Sequence, residues 1–237
     1  MGISHVLFDL DGTLLPMDQD AFVKAYFGSL ARKLAPFGYN PDELIKAIWS
    51  GTKAMVLNNG EKYNEERFWD TFCKIFGDKA KNDIPYFDEF YERDFDKVSL
   101  SCGYTPRAKE TVELVKALGC KTVLATNPIF PSVATEHRMK WAGLDKFDFE
   151  YYTTYENSKY CKPNLDYYRE ILAKLSVKPE ECVMVGNDVS EDMIASELGM
   201  KVFLLTDCLI NKENSDISMY PNGSFDDLQE YLREILA

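Results

Sequence analysis

The chain has 237 residues, 46% hydrophobic and 14% aromatic, which is enough apolar material for one large α/β domain or a core domain carrying an insertion. A net charge of −12 opposes nucleic-acid phosphates over any wide area, so no nucleic-acid partner is expected. No apolar run is long enough to span a bilayer, and six scattered cysteines with no C-x-x-C pair argue for reduced thiols over disulfides or a structural zinc site.

His5-Val6-Leu7-Phe8 is a short apolar run ending in Asp9, with Asp11-Gly12-Thr13 directly behind it. The pattern predicts a buried strand that delivers Asp9 at its C-terminal end and then turns. The first residues read as neither a signal nor a transit peptide, so the expectation is a soluble, cytoplasmic, membrane-free protein, monomeric by default. From about Pro16 to Leu100 the rhythm is helical. Apolar residues recur at helical spacing in Ala21–Ala35, Pro41–Leu57 and Glu65–Phe76, and a fourth helix is predicted around Tyr86–Phe95.

From Thr105 onward strands and helices alternate. Helices are predicted over Pro106–Leu118, Pro131–Trp141, Asn164–Leu175, Ser190–Leu198 and Phe225–Leu236, and strands over Lys121–Thr126, Phe149–Thr153, Cys182–Val185 and Lys201–Leu205. Such alternation implies an α/β fold: a Rossmann-like three-layer core around a mostly parallel sheet. The all-helical stretch interrupts it after the first strand. The expected division is therefore a core of residues 1–15 and 101–237 with an inserted helical domain of residues 16–100.

Ligands in an open parallel sheet gather at the carboxyl ends of the strands. Four polar groups fall there: Asp9 with Asp11, Thr126 with Asn127, Lys162, and Asp188 with Asp192. Singly, each has a plainer reading as a turn, a helix cap, a solvated lysine or a surface aspartate. Together they are harder to dismiss, because several carboxylates at one sheet edge repel one another and call for a cation. Oxygen ligands without histidine or cysteine select Mg2+, which leaves coordination positions for water and a phosphate oxygen. With Lys162 to balance charge, that set suits phosphoryl transfer and allows a small phosphorylated substrate.

Asp9-Leu10-Asp11-Gly12-Thr13, Thr126, Lys162-Pro163 and Gly186-Asn187-Asp188 with Asp192 resemble, in order, the four motifs of the haloacid dehalogenase-like hydrolase superfamily. The helical insert resembles the C1-type cap of its phosphoglycolate phosphatase and β-phosphoglucomutase group. The resemblance implies that Asp9 is the nucleophile and a metal ligand. It implies that Asp11 is the general acid and base and binds the metal through its carbonyl. Thr126 and Asn127 would hold phosphoryl oxygens, Lys162 would screen charge, Asp188 would complete the Mg2+ site, and Asp192 would act behind it. Asp11 disfavours dehalogenation, since a departing halide needs no proton. The implied activity is a phosphatase acting through an aspartyl-phosphate. The alternatives are a phosphotransferase or mutase, and a non-catalytic binding protein on the same fold. The aromatics of the insert are expected to pack it rather than to stack on a nucleobase, and Lys24, Lys33 and Lys53 are candidate anion contacts.

Overall fold

Six parallel strands form one sheet in the computed structural model, which describes residues 2–236. In chain order the elements are β1 (His5–Phe8), α1 (Gln19–Leu34), α2 (Pro41–Val56), α3 (Asn64–Phe76), α4 (Asp78–Glu89), α5 (Pro106–Ala117) and β2 (Lys121–Leu124). There follow α6 (Ser132–Trp141), β3 (Tyr151–Tyr152), α7 (Leu165–Leu175), β4 (Cys182–Gly186), β5 (Lys201–Leu205), β6 (Asn222–Gly223) and α8 (Phe225–Leu236). The sheet order is β3-β2-β1-β4-β5-β6. This is the Rossmann-like arrangement that strand–helix alternation predicts. Among the described residues no helix is long and apolar enough to cross a membrane, and all six cysteines are free.

Alternate residues of the central strand feed two cores, as the period of a strand requires. Val6 and Phe8 pack with Val112 of α5 and Leu228 of α8, while Leu7 packs with Tyr168 and Ile171 of α7 on the opposite face. All of these are buried, and each such side chain contributes about 1.5–3 kcal/mol. Local chemistry sets several helix starts. Asn40, Thr105 and Asn164 each accept a backbone N–H of the first turn, and Pro41 and Pro106 occupy first-turn positions.

The segment between β1 and α5 is helical throughout and gathers its own aromatic cluster, which also takes in Ala134, Tyr155 and Cys161. It enters and leaves side by side: Met17 and Cys102 form an antiparallel bridge, and the Gly103 N–H donates to Pro16 O at 2.7 Å. The helix expected around Tyr86–Phe95 begins earlier, at Asp78, with Pro85 inside it, and gives way to a π turn over Phe90–Asp94.

Two other expectations need correction, and one strand was not foreseen. The helix expected over Ser190–Leu198 starts as a turn and becomes a 3-10 helix only at Met193–Leu198. Asp188 Oδ1 accepts the N–H groups of Ser190 and Glu191 at 2.8 and 2.9 Å, so a side chain takes the place of the α-helical ladder. The strand expected over Phe149–Thr153 shortens to Tyr151–Tyr152. Edge strand β6 is an Asn-Gly pair with no apolar residue, and it carries no period-2 signal to read.

Candidate active site

The chain runs from β1 out to β2 and β3, then returns to place β4 on the other side of β1. The carboxyl ends of β1 and β4 therefore flank the crevice where strand order reverses. Asp9 follows β1 directly, and its N–H donates to Val185 O of β4 at 2.9 Å, so sheet pairing continues up to the carboxylate. Asp9, Asp11, Thr126, Asn127, Asp188 and Asp192 all line one cavity of about 330 Å³. Three of the four sequence signals thus meet at one cavity.

Lys162 sits behind that wall, 1% exposed. Its ammonium donates to Asp9 Oδ1 at 2.9 Å and to Asp192 Oδ1 at 2.6 Å. Burial acts to lower its pKa, but Asp192 and Asp9 overcome that and hold the ammonium well above its usual range. Asp192 also accepts the Asp188 N–H through Oδ2 at 3.0 Å, which ties the two acidic positions together across a turn instead of a helical face. Gly186 makes this possible: a Cβ there would overlap the Asp192 carboxylate. Gly12, at φ +87°, combines a left-handed backbone with close approach to the Asn187 amide.

Two neighbours, Arg138 and Glu191, escaped sequence reasoning, and a third, Asn187, figures there only as part of a motif with no role of its own. Arg138 of α6 is 1% exposed and pairs with Asp11 Oδ2; it also donates to Thr135 Oγ1 at 3.2 Å and Ala134 O at 3.3 Å. Its guanidinium lies 4.5 Å from the Phe130 ring centroid. Its only signal in the sequence is helical spacing with Ala134 and Ala142, which puts an arginine on an apolar stripe. Asn187 accepts the Thr13 hydroxyl at 3.0 Å and donates to Cys208 O at 2.7 Å; the same hydroxyl lies 3.3 Å from Asp9 Oδ2. Glu191 accepts from Asn127 Nδ2 at 3.0 Å, and burial pushes its carboxyl up to about 7.

Burial also raises the Asp11 carboxyl above the usual carboxylate range, against the pull of Arg138 and with the push of Asp9. Asp11 Oδ1 is buried and has no hydrogen-bond partner among the described residues. Asp9, Asp11, Asp188, Glu191 and Asp192 thus set five carboxylates against the two buried cations Lys162 and Arg138. That crowding of hard oxygen donors, which adds to burial in raising the Asp11 and Glu191 carboxyls, fits a divalent cation. Among the described residues no three His, Cys, Asp or Glu side chains are already gathered as a cage. Mg2+ does not require one, since it keeps several waters and takes one or two carboxylates.

The haloacid dehalogenase-like hydrolase family matches residues 3–198. The chain belongs to that family. This haloacid dehalogenase-like hydrolase is 26% identical over 201 residues to the pyrophosphatase PpaX of Bacillus cereus, covering 85% of this chain and 82% of that one. A predicted phosphoglycolate phosphatase from Haemophilus somnus superposes with a TM-score of 0.59 at 20% identity over 97% of both chains. A 2-haloacid dehalogenase from Pseudomonas syringae pv. tomato superposes with a TM-score of 0.65 at 18% identity, covering 98% of this hydrolase and 99% of the dehalogenase. These two likenesses speak for the fold alone, and two different chemistries share it.

The insert departs from expectation in two respects. Its rings do pack against one another, yet Phe22, Tyr26, Trp49, Phe68, Trp69 and Tyr91 also wall the cavity. Lys24, Lys33 and Lys53 do not line it. Lys33 turns instead to Glu89 and Asp94, at 3.2 and 3.3 Å.

Proposed function

We propose that this hydrolase is a Mg2+-dependent phosphatase that cleaves a small phosphorylated metabolite through an aspartyl-phosphate on Asp9. The observation that carries the reading is the contrast between two carboxyls two residues apart. Asp9 turns Oδ1 to Lys162, whereas Asp11, held by Arg138 through Oδ2, keeps a buried Oδ1 without a partner among the described residues, and burial raises its carboxyl. One suits attack and the other suits proton donation.

Asp9 attacks phosphorus, the bond to the ester oxygen breaks, and Asp11 gives its proton to the departing alkoxide. Asp11, now a carboxylate, takes a proton from the water that attacks the aspartyl-phosphate. The bond between phosphorus and Asp9 then breaks, inorganic phosphate leaves, and both carboxyls return to their starting states. Oδ2 of Asp9, held only by the 3.3 Å contact from Thr13, is the freer oxygen for attack. Arg138 fixes Asp11 through Oδ2 and leaves Oδ1 for proton transfer. Thr126 and Asn127 hold phosphoryl oxygens, and Lys162 and Asp192 balance charge behind Asp9. Asp9, Asp188 and the Asp11 carbonyl would hold Mg2+, which when bound would supply Lewis-acid stabilisation of charge on the phosphoryl group. Residues 16–100 act as a cap that keeps water from the core of residues 1–15 and 101–237.

Asp9→Asn and Asp9→Ala are each expected to abolish Mg2+-dependent hydrolysis of p-nitrophenyl phosphate while retaining the wild-type circular dichroism spectrum. Chelation is expected to silence the wild type and added Mg2+ to restore it. Undiminished turnover in either variant removes Asp9 from the nucleophile's role.

A further inference from the structure

The cavity is chemically mixed: its wall carries Asp9, Asp11, Thr126 and Asn127 together with Phe22, Tyr26, Trp49, Phe68, Trp69 and Tyr91. Among the described residues its wall carries no lysine or arginine. Arg138 is committed to Asp11 and Lys33 to Glu89 and Asp94, while Lys24 and Lys53 do not line the wall. A second phosphate or a carboxylate on the substrate would therefore lie among rings with no countercharge, facing a site already rich in carboxylates. Sugar hydroxyls fare little better. The Tyr26 and Tyr91 hydroxyls are hydrogen-bonded to each other at 2.7 Å, and among the described residues the insert's share of the wall otherwise offers Gln19, Thr52 and the Trp49 and Trp69 indole N–H groups as polar side-chain groups.

Resting on the phosphatase reading above, we propose that the substrate is a phosphate monoester of a neutral, predominantly apolar, ring-bearing alcohol. Its phosphate lies at Asp9 and its ring lies among the aromatics of the helical insert. The volume agrees: a cavity of roughly 150 Å³ accommodates benzene, so about 330 Å³ leaves space for a one- or two-ring group together with the phosphoryl end. Trp49 is 51% exposed and lies on α2 with Ile48 and Thr52, so this helix presents an aromatic edge to an entering ring. The proposal sets this chain apart from its pyrophosphatase relatives, whose named substrate leaves a second phosphate.

The test compares 2-(2-naphthyl)ethyl phosphate with glycerol 1-phosphate. Both release a primary alkoxide, so leaving-group acidity does not bias the result. The naphthyl ester is expected to show kcat/KM roughly 100-fold higher, the scale on which apolar pockets discriminate. Phosphoglycolate and pyrophosphate are expected to be the poorest substrates. Trp49→Ala should collapse the ratio between the two alkyl esters, and Thr52→Lys should shift preference towards phosphoglycolate.

Calorimetric titration with 2-(2-naphthyl)ethanol, which carries no phosphate, reads the apolar site independently of turnover. Heat of binding that weakens in Trp49→Ala supports the proposal. Hydrolysis of every ester with no preference for the naphthyl compound, or with the polar ones favoured, overturns it and leaves the phosphatase reading standing. Binding of the alcohol without hydrolysis of any ester overturns the phosphatase reading and leaves the apolar site standing.

Discussion

Lys162 owes its protonation to two carboxylates and they owe their burial to it, so none of the three is independent. Lys162→Met removes the only cation touching Asp9 and Asp192 among the described residues and leaves two buried carboxylates facing each other. Breaking a buried ion pair from one side costs about 3–5 kcal/mol. Urea unfolding of the metal-free protein is expected to show a loss of that size; a change under 1 kcal/mol would mean that the pair is solvated. Asp9, Asp11, Thr126, Lys162, Asp188 and Asp192 were legible as residues because each stands where an apolar run ends or a turn begins. Arg138 was not. An arginine on a helix is by default solvated, and nothing near it in the chain announces a carboxylate 127 positions earlier.

Short elements hold the site, and their tolerance is small. The β4 end passes so close to Asp192 that Gly186→Ala must push the carboxylate away from Lys162 or shift the strand. Overpacking of this kind costs about 1–3 kcal/mol. Here it should also lower kcat more than it raises KM, which steady-state kinetics on p-nitrophenyl phosphate will check. Away from the site, α1 is tied to α4 and the π turn through Lys33, Glu89 and Asp94, with Lys97 bonding Asp94 at 2.5 Å. The hydrogen bond from Lys97, aided by Lys33 and opposed by burial, holds the Asp94 carboxyl below its usual 3.8. A depressed carboxyl stabilises the fold above its unfolded pKa, and that stabilisation is lost as pH falls through the folded value. Asp94→Asn should therefore lower stability at pH 7 by at most about 1 kcal/mol, since the pair is partly exposed. The gap from wild type should close as the pH is taken below 3.8. Thermal melts across that range decide it, and a gap that widens in acid contradicts the assignment. Helices with strong periodicity were readable from the chain. The turn after Asp188 was not, because its side chain outcompetes the backbone ladder only in the folded geometry.

Across the molecule, the helical insert is docked as well as tethered. Asn64 is fully buried, donates to Pro128 O at 3.2 Å, and accepts from Asn58 at 2.9 Å; its backbone N–H reaches Ser158 O at 2.9 Å. Asn64→Ala keeps the backbone bond to Ser158 O but leaves Pro128 O and the Asn58 amide without their side-chain partner, at about 1–3 kcal/mol. If the insert folds onto the core as one cooperative unit, guanidinium unfolding will stay single-step with a lower midpoint; two separated transitions would show that the halves unfold apart. Binary pattern and turn chemistry are local, so the sequence by itself determined the α/β alternation, the helical interruption and the acidic motifs at strand ends. Only the tertiary structure decided which of those side chains meet. Lys162 finds Asp9 across 153 positions, Asn187 finds Thr13 across 174, and rings that a helical wheel assigns to packing also wall a cavity. Such contacts depend on how separate elements stack, and no window of sequence contains both partners.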